Sequence, residues 1–123
     1  MKTRDAALRL KRFELTEKTR KVASMEAMVM DFEHMASDLM RQISAEEERT
    51  GNRDCLHFAY STFAKSARLR RGNLLVSVAD LKLKLDTAKR EHAQVASELS
   101  KLEPTFPREA VPASKIDRLA MIG

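Results

Sequence analysis

Tryptophan is absent from this 123-residue chain, and the only aromatics are five phenylalanines and one tyrosine. Without bulky side chains a large globular core has little to fill it. Glycine and proline number three each, which leaves room for long uninterrupted helices. The single cysteine, Cys55, excludes an internal disulfide and fits a reducing compartment. No run of about 18 apolar residues occurs, so no membrane span is encoded, and Leu8 to Lys11 has too few apolar neighbours for the core of a signal peptide. A cytoplasmic protein is expected. Chemistry-bearing clusters are also missing: there is no glycine-rich phosphate loop and no nucleophile beside a base, and His34, His57, His92 and Cys55 do not converge by any regular spacing. Cys55 and His57 offer two ligands where a structural zinc site takes about four. The expectation is a protein that is not an enzyme and uses no cofactor and no metal.

What the sequence does hold is periodicity. Leu15, Val22, Met25, Val29, Phe32, Ala36, Leu39 and Ile43 keep steps of three and four, or their sum of seven. Leu74, Val78, Leu81, Leu85, Ala88, His92, Val95, Leu99 and Leu102 do the same, with the period of about 3.5 residues that winds helices left-handedly together. A fold-back near Cys55 sets Leu8 against Leu102, Leu15 against Val95, Val22 against Ala88, Val29 against Leu81, Ala36 against Leu74 and Ile43 against Ala67, apolar facing apolar throughout. The predicted fold is therefore all-α, a long antiparallel two-helix coiled-coil hairpin over residues 1–103. Helix one is expected over about 4–49, the turn over about 50–55 around Gly51, and helix two over about 56–103 with Asp54 or Ser61 as its cap. Pro104 ends it, and residues 104–123, with Pro107 and Pro112, read as a flexible tail carrying an apolar patch from Ile116 to Ile122. Lys18, His92 and Arg71 are polar intrusions in the seam, and Lys65 and Arg68 face the Glu46 to Glu48 run.

Several side chains are not needed by the seam. Leu10 and Phe13 fall off it, and Met28, Met30, Met35 and Met40 either broaden the hairpin interface or form an adaptable surface for partners. Phe58, Tyr60 and Phe63 concentrate half of the aromatics beside the turn, either as anchors for a partner or as a local cap over Ile43 and Ala67. The net charge of +5 gathers near the amino terminus, from Lys2 to Lys21, and at Lys65, Arg68, Arg70 and Arg71. Clustered cations suit an acidic partner, but these alternate with acids and carry no base-reading motif, which makes nucleic-acid binding or a general adaptor role the second reading.

The stretches Leu10-Lys11-Arg12-Phe13, Glu17-Lys18, Met28 to Ala36 (MVMDFEHMA), Arg49-Thr50-Gly51 and above all His57 to Leu74 (HFAYSTFAKSARLRRGNL) resemble the flagellar export protein FliJ family in its alphaproteobacterial form. The resemblance covers residues 2–102. It implies a cytoplasmic coiled coil, peripherally associated with the inner-membrane flagellar type III export apparatus and similar to the central stalk of rotary ATPases. Such a protein engages the hexameric export ATPase ring and the cytoplasmic domain of the export gate, and it escorts export chaperones. On that reading Arg12 and Phe13 at the open end, Phe58, Tyr60 and Phe63 near the turn, and Arg70 and Arg71 are the partner-binding candidates.

Overall fold

Two helices account for nearly all of the computed structural model, which describes residues 2–103: α1 over Lys2–Thr50 and α2 over Thr62–Leu102. At about 1.5 Å per residue they are roughly 74 and 62 Å long. They pack against each other as an antiparallel hairpin. The expected tail from Pro104, with its apolar patch, lies outside the described residues.

Local chemistry sets the helix limits. Asp5 in the first turn of α1 and Arg49 in the last complement the helix dipole. Gly51, at φ +70, then adopts the left-handed conformation that glycine takes without steric cost, and its N–H bonds the Glu48 carbonyl at 3.3 Å. Helix two begins at Thr62 and not near residue 56. The intervening residues spend their backbone donors on short-range partners instead: Asn52 Oδ1 accepts from Asp54 N–H, Asp54 Oδ1 from Leu56 N–H, and His57 Nδ1 from Ala59 N–H, each at 3.0 Å. Such side-chain bonds compete directly with helix formation. Ser61 is the cap, its hydroxyl accepting from Ala64 N–H at 3.1 Å. At the far end the Arg4 guanidinium donates to the Leu102 carbonyl at 3.0 Å, satisfying an acceptor that the end of α2 leaves open.

The seam is the core. Val29, Leu39, Ile43, Val78, Leu85, Val95 and Leu99 are buried, and Leu15, Val22, Met25, Phe32, Leu74, Leu81 and Leu102 are half-buried. Ile43 is fully enclosed and clusters with Leu39 and Ala67, with Leu74 against them. Small Ala36, Ala67 and Ala88 are buried too, which lets the helices approach closely where a larger residue faces them. Polar bonds across the seam keep the same alignment: Lys11 to Glu98 at 2.9 Å, Thr19 Oγ1 to His92 Nε2 at 3.0 Å, and Lys18 to Glu91 at 3.5 Å. Each lies within one position of the apolar register.

Ion pairs line the edges. Arg12 with Glu103, Glu26 with Lys89, Glu33 with Lys82 and Glu47 with Arg68 start from positions that differ by multiples of seven, so they fall on one edge of the rod. Lys11, Lys18 and Lys21 meet Glu98 and Glu91 instead. Glu47 is buried and Lys11 and Lys18 are half-buried, while the other side chains of these pairs are more exposed, where water screens the attraction. They orient the helices more than they hold them.

Two substitutions separate seam from surface. Leu85→Asp places an unpaired charge in the seam and should cost about 2–4 kcal/mol, read as a fall in thermal midpoint followed by circular dichroism. At Gly72, by contrast, a β-carbon meets nothing within 4 Å and φ is not positive. Gly72→Ala should raise stability by about 0.5–1 kcal/mol.

Candidate functional site

The strongest polar cluster of the molecule sits where the chain reverses. Tyr60 precedes Ala64 by four residues and Ala67 by seven, so it continues the seam of α2 back into the loop. That spacing turns its ring inward, leaving it 7% exposed. Its hydroxyl donates to Glu47 Oε2 at 2.6 Å, Arg68 Nη2 donates to the same oxygen at 2.7 Å, and Arg68 Nε donates to the Tyr60 oxygen at 2.8 Å. The guanidinium also lies 5.9 Å from the centre of the tyrosine ring. Glu47, the one buried charged residue among those described, thus has both a cation and a phenol at its carboxylate.

Electrostatics follow the geometry. Arg68, then Tyr60, holds the Glu47 carboxyl below the usual carboxylate range, and burial, followed by the hydrogen bond to Glu47, pushes the Tyr60 hydroxyl up. Beside it Arg49 grips Glu46 through two bonds of 2.8 and 3.0 Å, and the Ser61 hydroxyl donates to Glu46 Oε2 at 2.5 Å. Arg49 first, then Ser61, lowers the Glu46 carboxyl to about 2. The capping serine of α2 is therefore tied to the last turns of α1, and the two helix ends are fastened together.

This arrangement removes Tyr60 from the exposed partner-binding set. A buried ring with both hydroxyl contacts used internally is a closing element, the local cap that was the other reading of the turn aromatics. Phe58 and Phe63 stay outside, 95% and 54% exposed, with Leu56 at 92% beside them and the His57 and Phe58 rings stacked 4.6 Å apart. Arg12 and Phe13 stand at the opposite end, about 55 Å away by helix rise; Phe13 is 64% exposed next to Leu10, while Arg12 pairs with Glu103 at 3.5 Å. Arg70 lines a shallow groove with Met35, Asp38 and Asn73, and Arg71 is half-buried with its Nε lacking a hydrogen-bond partner among the described residues. The candidates thus form two separate ends and a basic flank, not one site.

Sequence spacing pairs Arg68 with the glutamate run, and the structure adds Glu47 as its partner; Lys65 makes no ion pair among the described residues. Met30 is 59% exposed, whereas Met28, Met35 and Met40 have more than half of their surface covered, and Met35 lines the groove between the helices with Leu39 and Leu74. Among the described residues no three or more potential ligands gather as a metal site, and no helix is long and apolar enough to cross a membrane. The chain is an antiparallel two-helix hairpin with a locked turn and apolar tips. No family model, curated protein or solved structure matches it.

The depressed carboxyls at the turn fix a pH response. A group whose folded-state pKa is lowered contributes stability above its ordinary value, 4.5 for glutamate, and loses it as pH falls toward the folded value, about 2 for Glu46. The thermal midpoint should drop between about pH 4.5 and 2, and Glu47→Gln should flatten that drop while lowering the midpoint at neutral pH. A Glu47→Gln variant with an unaltered acid limb would show that the Glu47 carboxylate contributes nothing to it, the Glu46 share being retained.

Proposed function

We propose that this chain is a non-enzymatic stalk of the flagellar type III protein export apparatus, a rigid coiled coil that engages the hexameric export ATPase at its open end and the cytoplasmic domain of the export gate at its turn, and that escorts export chaperones. The observation that carries this reading is the placement of exposed aromatics at both extremes of a rod: Phe13 with Leu10 at one, Phe58 with Leu56 and Phe63 at the other. Exposed aromatic side chains gathered at one spot, unlike single scattered ones, are the kind of anchor that protein contacts use. A rod with sticky tips joins two bodies across its length, and nucleotide hydrolysis then belongs to the ring. The resemblance of residues 57–74 to the FliJ family supplies the identity of the partners. Localisation at the inner membrane follows through those partners alone.

The nucleic-acid reading has less behind it. Lys11, Arg12, Lys18, Arg20 and Lys21 each have a carboxylate of this same chain beside them, so the amino-terminal cluster is interleaved with acids and presents no unbroken phosphate-binding face.

The two tips can be tested apart. Capture of a purified gate cytoplasmic domain should fall about tenfold or more for Phe58→Ala with Phe63→Ala, with helicity and ATPase capture unchanged. Leu10→Ala with Phe13→Ala should do the reverse. If the unaltered protein captures neither partner at low salt, the reading is wrong.

A further inference from the structure

The chain leaves the described residues beside an apolar patch that the hairpin leaves uncovered. At the end of α2, Arg4 donates to the Leu102 carbonyl through Nε at 3.3 Å and Nη2 at 3.0 Å, and Arg12 pairs with Glu103 at 3.5 Å. Glu103 has already turned to extended backbone, φ −70 and ψ 143. The exit is therefore held against α1 between two arginines, and Phe13 follows one of them directly. Ala6, Leu10 and Phe13 keep steps of four and three, all exposed, on the side of α1 turned away from the seam. A shallow groove runs from Leu10 and Phe13 past Glu17 to Lys21.

Beyond Glu103 the sequence holds a segment of matching length. Pro104, Pro107 and Pro112 disfavour helix before Ser114. From there the pattern changes. Ser114 and Asp117 have the spacing of a capping box, and Ile116, Leu119 and Ile122, with Ala120, would share one helical face while Asp117 falls opposite. Ile116 to Ile122 corresponds to about 9 Å of helix and Ala6 to Phe13 to about 10 Å, so the two stripes are equal in length. So short a segment does not hold a helix in water by itself; it needs a surface.

Reach selects that surface. Residues 104–113 span at most about 33–36 Å when fully extended. Phe13 lies about 9 Å along the rod from Glu103, around a helix about 10–12 Å across. The other exposed apolar stripe, Leu83, Val76 and Leu69 on α2, begins about 28 Å along the rod from Leu102 and ends about 50 Å from it. The outer face of α2 in between is polar, with Thr87, Arg90, Gln94, Ser97 and Lys101 exposed. A short tether holds its segment at a local concentration on the order of 1 mM near its origin, and that concentration falls with distance. A contact too weak to join separate molecules then closes within one.

We propose that residues 114–122 dock as a short amphipathic helix on the Ala6–Leu10–Phe13 face of α1 in the same molecule, with Ile116, Leu119 and Ile122 covering Leu10 and Phe13. The open tip of the rod is covered by its own chain, and an outside partner of Leu10 and Phe13 must first displace the segment. The contact itself does not depend on what that partner is.

The absence of tryptophan supplies the test, since Phe13→Trp in the full chain places a single reporter at the patch. Its emission should lie to the blue, and adding Leu119→Asp with Ile122→Asp should shift it to the red and raise quenching by acrylamide about twofold or more. In the chain without the reporter, amide exchange over residues 117–122 should be about tenfold slower than in the Leu10→Gln with Phe13→Gln variant. Both results should be the same at about 1 and about 100 µM protein, because the contact lies within one molecule. Equal emission and quenching with and without the tail substitutions overturn the inference. So does exchange that is unprotected in the unaltered chain. Protection that persists in the Leu10→Gln with Phe13→Gln variant overturns it too, by putting the segment on another surface, and protection lost on dilution does so by putting it on a second copy.

Discussion

Two helices share only one face, and that single constraint organises the rest of the molecule. In a globular protein a displaced core residue finds other apolar neighbours, but on a rod each seam residue has one row of partners and water on every other side. The alignment that pairs Ile43 with the Ala67 region also buries Leu8 and Leu99 at the far end, about 50 Å away by helix rise. A slip of one residue would expose the whole row together. Alignment is therefore the property the remaining features protect, and most of them act on direction more than on energy. Edge ion pairs at multiples of seven, the Thr19 to His92 bond and the Arg4 cap each add little individually, but all agree on one register.

The turn is where that register is set, and its construction differs from the rest. Elsewhere the rod is held by apolar contact along a narrow stripe. At the reversal a carboxylate is buried with a phenol and a guanidinium on the same oxygen, and a serine caps one helix while donating to the other. Directional bonds of this kind tolerate little displacement, which makes them suitable for fixing where a hairpin folds back. The consequence for the tip is indirect. With Tyr60, Ser61 and the Asn52 and Asp54 side chains occupied internally, the loop is held in one shape while Leu56 and Phe58 remain outside it. A preorganised loop presents its apolar residues at lower entropic cost than a mobile one.

Much of this was legible in the sequence, for a definite reason. Heptad spacing reports directly on which face of a helix is covered, and matching two stripes across a fold-back tests itself, so the hairpin, its antiparallel sense and its register could all be read from residue types. The eleven residues between the helices could not. Their conformation depends on which of several short-range acceptors, Asn52, Asp54, His57 or Ser61, each backbone N–H takes, and such choices are decided by small energies. Tyr60 is the instructive case. Treated as one of three aromatics at a turn it looks like an anchor for another protein; treated as a step of four before Ala64 and seven before Ala67 it belongs to the seam, and the structure puts it there. The signal was present but lay outside the helix in which periodicity was sought.

A rod of this type also has far more surface than its own folding can use. The seam occupies one face of each helix, leaving the outer faces without any structural demand for apolar residues, and substitution there to polar types would cost the hairpin little. That is why the exposed positions are more informative than the buried ones. Leu69, Val76 and Leu83, about 70% exposed, contribute little to the fold that a glutamine or lysine would not, and they carry a solubility penalty. Their regular spacing shows that they are not scattered at random. Charge is segregated along the chain as well: residues 22–40 of α1 hold four acids and no lysine or arginine, residues 62–84 of α2 hold six bases and one acid, and the Glu33–Lys82 pair joins the two stretches across the hairpin. Opposite signs at one height on the two helices favour the pairing of α1 with α2 within the hairpin, so the charge pattern supports the same alignment that the apolar seam sets.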